Sequence, residues 1–308
     1  MDQINSVISF ENYYSRQLAG NPKPLPEAKE PKCVFYKEAS LKEVEFSIVM
    51  PIYNQSKIIV RNLESIVTHT GGSYEIILII DACSDNTEEQ VLGWVASKDP
   101  MPPQCNRIVI IKSETPLFEC SADNIGFTVA RGKYLLEIQA DMTMTETGYN
   151  ILLRRPFEVL NNVIAVSGRC CHGLRGGISI GRYGTKIEEP YDASLSNKIF
   201  YVNETCNRGP LLLCSEKVRA LGYLDEQNFY LDNSDHDLIA RAWLEKRWVC
   251  GYVPINFLAP VAEGSMRKPR DPLNTLFIDL RRKRSNGGML FKNELNYTER
   301  IPSTVALN

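Results

Sequence analysis

The sequence lacks a glycine-rich phosphate loop of either common form, GxGxxG or GxxxxGK[ST]. A diphosphate bound here would need a metal ion or basic side chains instead. There is no CxxC spacing, and the adjacent Cys170-Cys171 have no metal-finger partners, which excludes the usual structural zinc sites. No apolar run approaches the ~20 residues of a membrane-spanning helix; EIILII (75–80) has the length of a strand. Net charge is only −2, so the overall balance points neither to nucleic acid nor to an anionic membrane. The local run Arg281-Arg282-Lys283-Arg284 is the exception and reads as a solvated helix face. The N-terminal MDQINSVISFENYY carries an early acid and no continuous apolar region, which argues against a secretory signal. The nine cysteines then read as buried thiols of a reduced, cytoplasmic chain.

What is present suits one large core with appendages, at 308 residues and 44% hydrophobic content. Ile4, Val7, Ile8, Tyr14 and Leu18 form a helix-like stripe. NPKPLPEAKEPK (21–32), with its four prolines, reads as an extended tether. The folded body is expected from near Phe46. FSIVMP (46–51), EIILIID (75–81), RIVIIK (107–112) and KYLLEIQ (133–139) read as buried strands. Between them, Ile59, Leu63, Ile66 and Val67 share a helical face, and Asp85 with Glu88 resembles a capping box ahead of a second helix. Strand alternating with helix predicts an α/β fold with a mostly parallel central sheet flanked by helices. Ligands in such sheets bind beyond the carboxyl ends of the strands.

Those ends carry chemistry. The first strand leads into Pro51-Ile52-Tyr53-Asn54, the second ends at Asp81, and the strand near 134–139 runs into Gln139-Ala140-Asp141. Tyr53 offers a flat face for a base, or simply packs. Asp81 suits a pyrimidine N–H or a ribose hydroxyl, and Asp141 suits a hard divalent cation against a diphosphate. Asp85 is explained by capping alone. Further on, YLDNSDHDLIARAW (230–243) crowds Asp232, Asp235 and Asp237 at the start of a helix, where the dipole favours acids by ~0.3–1 kcal/mol each.

SIVMPIYN, IIDACSDNT, ADNIGFTVARGKYLLEIQAD and GYLDEQNFYLDNSDHDLIARAW, in this order and spacing, resemble the motifs of family 2 glycosyltransferases with the GT-A fold. The resemblance runs from about Phe46 to about Pro254. It implies an inverting enzyme that moves a sugar from a nucleotide-sugar donor, most simply a UDP-sugar, to a glycan, lipid-linked or protein acceptor. It places Pro51, Tyr53, Asp81, Gln139, Ala140 and Asp141 at the donor, with Mn²⁺ or Mg²⁺ on Asp141. Asp235 matches the family's catalytic base. Asn124 and Gly126 match an NxG turn, and Arg208, Gly209 and Asp232 fall on the acceptor side. Asp232 and Asp237 also suit capping of the turn, and His236 reads as a bystander. The implied division is an N-terminal helix and tether (1–45), a GT-A domain (46–260, its nucleotide-binding half 46–145 and acceptor half 146–260), and a C-terminal helical extension (261–308).

Three departures stand out. Ala82 follows Asp81 where a second acid is usual. Gln139 replaces the first acid of the DxD element, so one carboxylate is left for a metal. The region 260–271 has no histidine, with Glu263 as a candidate substitute. The glycine-rich stretch 167–186 reads as an irregular loop, either shaping acceptor access or a surface loop without function. Two rivals stay open at this point. A nucleotidyltransferase would need a basic loop after the first strand, where only Gln55 and Lys57 stand. A binding protein that has lost turnover would fit Gln139.

Overall fold

A computed structural model describes residues 30–39, 43–175, 178–184, 194–226, 228–229, 231, 233–264 and 302–307. Strand β1 (Lys32–Glu38) comes first. An alternating series follows: β2 (Phe46–Ile52), α1 (Ile59–His69), β3 (Tyr74–Asp81), α2 (Thr87–Ala96), β4 (Cys105–Ser113), α3 (Phe118–Val129) and β5 (Tyr134–Glu137). The second half contains β6 (Thr143–Met144), α4 (Tyr149–Val159), β7 (Val163–Ser167), β8 (Cys170–Arg175), β9 (Ile178–Gly184), β10 (Ile199–Asn203) and β11 (Thr205–Cys206). It continues with β12 (Leu211–Cys214), α5 (Ser215–Ala220), α6 (Ser234–Lys246), β13 (Val249–Tyr252), β14 (Phe257–Leu258) and β15 (Ser303–Ala306).

The central sheet has the order β1-β4-β3-β2-β5-β12-β7-β13-β10-β15. From β4 to β5 the strands run parallel. Their continuous apolar runs follow from burial on both faces: Ile77, Ile79 and Val49 pack on the side of α3 and α6, while Ile76, Leu78, Ile48 and Met50 pack on the side of α1, α2 and α4. Beyond β5, β12 enters antiparallel between β5 and β7. The carboxyl ends of β3, β2 and β5 therefore lie side by side, which is where the donor residues were expected.

Two strands begin and end the described chain outside the expected domain limits. β1 pairs antiparallel with β4, from Lys32 opposite Lys112 to Glu38 opposite Arg107, so the sheet starts before Phe46. The proline-rich reading hid it, because the prolines of 21–32 run in sequence straight up to Lys32. β15 pairs antiparallel with β10, so residues 303–306 are strand rather than helical extension. The stripe at 4–18 and the basic run 281–284 lie outside the described residues. Much of the glycine-rich stretch 167–186 is an antiparallel hairpin, β8 against β9, rather than irregular loop.

Asn124 and Gly126 sit inside α3, not in a turn. Asn124 clasps Leu224, donating Nδ2–H to its carbonyl (2.9 Å) and accepting its N–H (3.0 Å). Gly126 is where α3 lies closest to the sheet: a Cβ there would stand 2.3 Å from Val49 Cγ1 and 3.1 Å from Ile79 Cδ1. Gly126→Val should lower stability by about 1–3 kcal/mol through overpacking, read as a drop in the urea midpoint. An unchanged midpoint would mean that α3 can move off the sheet without cost.

Candidate active site

The exits of β2 and β3 are laced together. Asn54 leaves β2 in the left-handed region (φ 49°), which asparagine tolerates. Its Oδ1 accepts the N–H of Ser84 (2.8 Å) and Asp85 (3.3 Å), and its Nδ2 donates to Ser84 Oγ (3.1 Å). The two oxygens of Asp85 accept the N–H of Thr87 (3.0 Å) and of Ser56 (3.2 Å). Asp85 is thus a tie between two loops rather than a helix cap. The N-cap position of α2 is Asn86, and Glu88 pairs with Lys112 at 2.7 Å instead of closing a capping box. Pro51 and Tyr53 are half-buried on this rim. Ala82 also takes a left-handed φ (44°), a strain that in proteins concentrates at functional sites.

Asp81, at the end of β3, is buried. Its Oδ1 accepts Leu117 N–H (2.6 Å) and its Oδ2 accepts Phe118 N–H (2.9 Å). These are amides at the start of α3, groups that the helix itself leaves unpaired. The same first turn supplies Glu119, whose Oε1 accepts Gln139 Nε2–H at 2.8 Å. Ala140 is buried and its carbonyl accepts Asn62 Nδ2–H (2.7 Å). Asp141 follows, half-exposed, within electrostatic reach of Arg169. Arg169 donates Nε–H to Gly209 O at 3.2 Å. Gly209 has φ 63°, and a Cβ there would meet Met142 Cε at 2.2 Å and Gln139 Oε1 at 3.2 Å. The backbone of 208–210 therefore lies directly against the end of β5.

Arg208 brings in the last element. Its main-chain N–H donates to Asp235 Oδ2 at 3.1 Å, and His236 N–H donates to Asp235 Oδ1 at 2.9 Å. The Arg208 guanidinium is turned inward rather than toward an acceptor: it contacts Asp123 and Ser234 and lies 3.4 Å from Glu119. Burial raises the Asp235 carboxyl, but the charges of His236 and Arg208 and the two amide donors outweigh it and hold it below the usual carboxylate range. Asp235 is 6% exposed. A carboxylate oxygen has more than one lone pair, so the amide bonds leave room for a further donor.

A continuous run of contacts thus joins Asp81, the start of α3, Gln139, Arg208 and Asp235. Asp232 lies outside the described residues. Asp237 accepts from Arg241 Nε at 2.8 Å one helical turn on, a structural role. His236 pairs through Nδ1 with Thr205 Oγ1 (2.6 Å). Glu263 is committed to Arg61 at 2.7 Å. All nine cysteines are free thiols.

Glu119, Asp123 and Glu137 form an acid cluster around Arg208 that the motif reading passed over. Glu137 is 1% exposed and Asp123 is fully buried. Their signal was in the sequence: Glu137 interrupts the apolar run YLLEI, and Asp123 falls on the inward face of α3.

Among the described residues no group of three His, Cys, Asp or Glu side chains is placed to hold a metal. Asp141 supplies one carboxylate and Gln139 directs its amide to Glu119. This donor set fits an ion shared with a ligand's phosphate oxygens, as hard divalent cations are often held, and not one caged by protein alone.

A mixed α/β sheet with its rim of loops at β2, β3 and β5 is the GT-A architecture, and comparison with known proteins agrees. Residues 47–171 match the family described as Glycosyl transferase family 2. Over this region the chain resembles the family 2 glycosyltransferases. It is similar to the glycosyltransferase GlyG of Streptococcus pneumoniae, 30% identical over 156 residues that make up 51% of this chain and 43% of that protein. It is also similar to the amylovoran biosynthesis glycosyltransferase AmsB of Erwinia amylovora, 30% identical over 101 residues, 33% of this chain and 32% of that one. The chain thus spans less than half the length of these relatives. Among solved structures, the mannosyltransferase PcManGT of Pyrobaculum calidifontis, in complex with GDP-Man and Mn²⁺, superposes over 93% of this chain and 77% of its own, with a TM-score of 0.53 at 14% identity. S. aureus TarS 1-349 in complex with UDP-GlcNAc superposes over 82% and 70%, with a TM-score of 0.51 at 14% identity.

Proposed function

We propose that the protein is an inverting glycosyltransferase that moves a sugar from a nucleotide-sugar donor, a UDP-sugar, to an acceptor hydroxyl, with Asp235 as the general base. The observation that carries this reading is the run of contacts from Asp81 through Glu119, Gln139 and Arg208 to Asp235, which joins the donor rim to the base. Pro51 and Tyr53 line the base of the nucleotide, and Asp81 accepts from the base or ribose with lone pairs left by Leu117 and Phe118. Gln139, next to Ala140, orients the ribose or diphosphate. Gly209, lacking a side chain, lets the chain bearing the base approach the donor closely.

In the reaction, the acceptor oxygen forms a bond to the anomeric carbon and its proton passes to Asp235. The bond from that carbon to the phosphate oxygen breaks, and its electrons leave with the nucleoside diphosphate. One displacement from the opposite face inverts the anomeric configuration. The transition state has the oxocarbenium character familiar from glycoside hydrolysis. A divalent ion on Asp141 would supply charge stabilisation to the departing diphosphate. Solved neighbours of this fold hold UDP-GlcNAc in one case and GDP-Man with Mn²⁺ in another, which supports a nucleotide-sugar donor and leaves the sugar open.

The test is calorimetric titration with UDP in the presence and absence of Mn²⁺, followed by assay of UDP release from UDP-sugars. UDP should bind more tightly with Mn²⁺, and Asp141→Ala should remove that difference. A variant that keeps the full Mn²⁺ dependence would exclude Asp141 as the metal's residue. A wild-type protein that binds no nucleotide under any condition would end the glycosyltransferase reading itself.

A further inference from the structure

Two buried acid sites in this protein are built in opposite ways. At the amino end of β3, Glu75 accepts from Arg107 Nε (2.6 Å), Ser47 Oγ (2.5 Å) and Arg131 N–H (2.7 Å), so its charge is fully satisfied. Behind Asp235, by contrast, the carboxylates of Glu119, Asp123, Glu137 and Asp235 share the single guanidinium of Arg208. Among the described residues, Asp123 Oδ1 and both oxygens of Glu137 have no hydrogen-bond partner, and Glu137 Oε1 comes no closer than 3.9 Å to Arg208. These groups line a cavity of ≈ 10 Å³ with Asp235 on its wall, its remaining lining largely apolar. Four negative charges against one positive are not sustained in such a place. A buried carboxylate without a partner takes up a proton instead.

The choice of group follows from the contacts. Asp235 receives two amide N–H donors and stays ionised. Glu119 lies at the rim and receives the Gln139 amide. The proton therefore falls to Glu137 and Asp123. We propose that Asp123 and Glu137 form a buried proton-holding pair that works through Arg208 to position Asp235 and set its strength as a base, a role that rests on the base assignment above.

Burial drives both carboxyls up: Glu137 well above the ordinary glutamate range, and Asp123, despite Arg208, to about 7. The charged and titratable groups acting on the pair are Glu119 and Cys120 on α3, Arg208, and Asp235 on α6, with Arg169 reaching Glu137; His236 acts on Asp235, and Glu226 on Cys120. Below pH 7 Asp123 is neutral, and Asp235 feels the Arg208 charge undiminished, which makes it a weak base. As Asp123 ionises it offsets that charge, so Asp235 binds a proton more tightly and serves better as a general base. Asp123 and Glu137 are positioning residues, since neither reaches the substrate.

Asp123→Asn in the full chain tests this in two arms. The first is urea unfolding between pH 4.5 and 8, which needs no activity. A carboxyl whose folded pKa is raised makes the folded state hold more protons than the unfolded one between the two values, so raising the pH favours unfolding. The ratio of wild-type to variant unfolding constants should therefore climb up to about tenfold per pH unit and level off above pH 7. A ratio that stays flat from pH 5 to 7 overturns the proton-holding pair. The second arm is kcat and KM for donor turnover against pH. Wild-type kcat should rise through an ionisation near pH 7, and Asp123→Asn should lose that rise with donor KM unchanged. Asp123→Glu, which returns a carboxyl, should restore the rise, a rescue that also serves if the asparagine variant does not fold. A rise that persists in Asp123→Asn overturns the coupling to Asp235. Absence of any transfer by the wild type overturns the base assignment and the coupling with it, while the unfolding arm still reports on the pair.

Discussion

Asp235→Asn is expected to lower the transfer rate by about 10²–10⁴-fold, the range that a general base supplies, while UDP binds the variant as it binds the wild type. Asparagine has nearly the shape of aspartate but cannot take the acceptor's proton at any accessible pH. The proposed donor residues Tyr53, Asp81 and Asp141 lie at or beyond the ends of other strands and are not altered. One complication is structural: Asp235 accepts N–H groups on both oxygens, from Arg208 and His236. An amide nitrogen must therefore face one of these donors, a mismatch of about 1–3 kcal/mol in stability. The rate should be measured on protein shown to be folded, with nucleotide affinity from calorimetry alongside. Transfer within a few-fold of wild type would remove Asp235 from the role of base. A parallel loss of UDP affinity would instead indicate collapse of the site.

The second large effect is on stability. Arg208→Met keeps much of the side chain's length but removes the cation that pairs with Glu119, Asp123 and Glu137. Breaking a buried ion pair by removing one partner typically costs about 3–5 kcal/mol, because the other charge stays buried and uncompensated. The loss should depend on pH in a definite direction. At pH 8 the wild type holds Asp123 ionised against Arg208. The variant must take up a proton there or bury the anion with no guanidinium beside it, and either costs stability. At pH 5, below its folded value of about 7, Asp123 is protonated and the missing guanidinium matters less. Urea midpoints should therefore separate wild type from Arg208→Met more at pH 8 than at pH 5. An equal or reversed separation would mean that Arg208 stabilises by packing rather than by charge.

The parallel strands that carry the proposed donor residues were legible in the residue order. FSIVMP and EIILIID are apolar on both faces, a pattern that has few solutions other than inner strands of a parallel sheet. Once those strands are recognised, Tyr53, Asp81 and Asp141 fall on one rim by topology alone. Other parts were not legible for identifiable reasons. β1 was concealed by the prolines that run up to it, and the pairing of β15 with β10 joins segments about a hundred residues apart. Arg208 stands at an expected place in the sequence, yet which way a long cationic side chain turns depends on where the uncompensated acids lie, and these come from α3, β5 and α6. Asp85 with Glu88 had the spacing of a capping box, but Ser56 and Asn54 from the neighbouring loop competed for the same groups and won.

From sequence alone came the class of fold, the resemblance to the family 2 glycosyltransferases and the choice of Asp235 as the proposed base, because these depend on local periodicity and on motifs read within short windows. The tertiary structure decided the electrostatic setting of that base. Whether a carboxylate is ionised, shared or protonated is determined by charges brought within a few ångströms from distant parts of the chain. Only folding sets Asp123, Glu137 and Asp235 around one arginine.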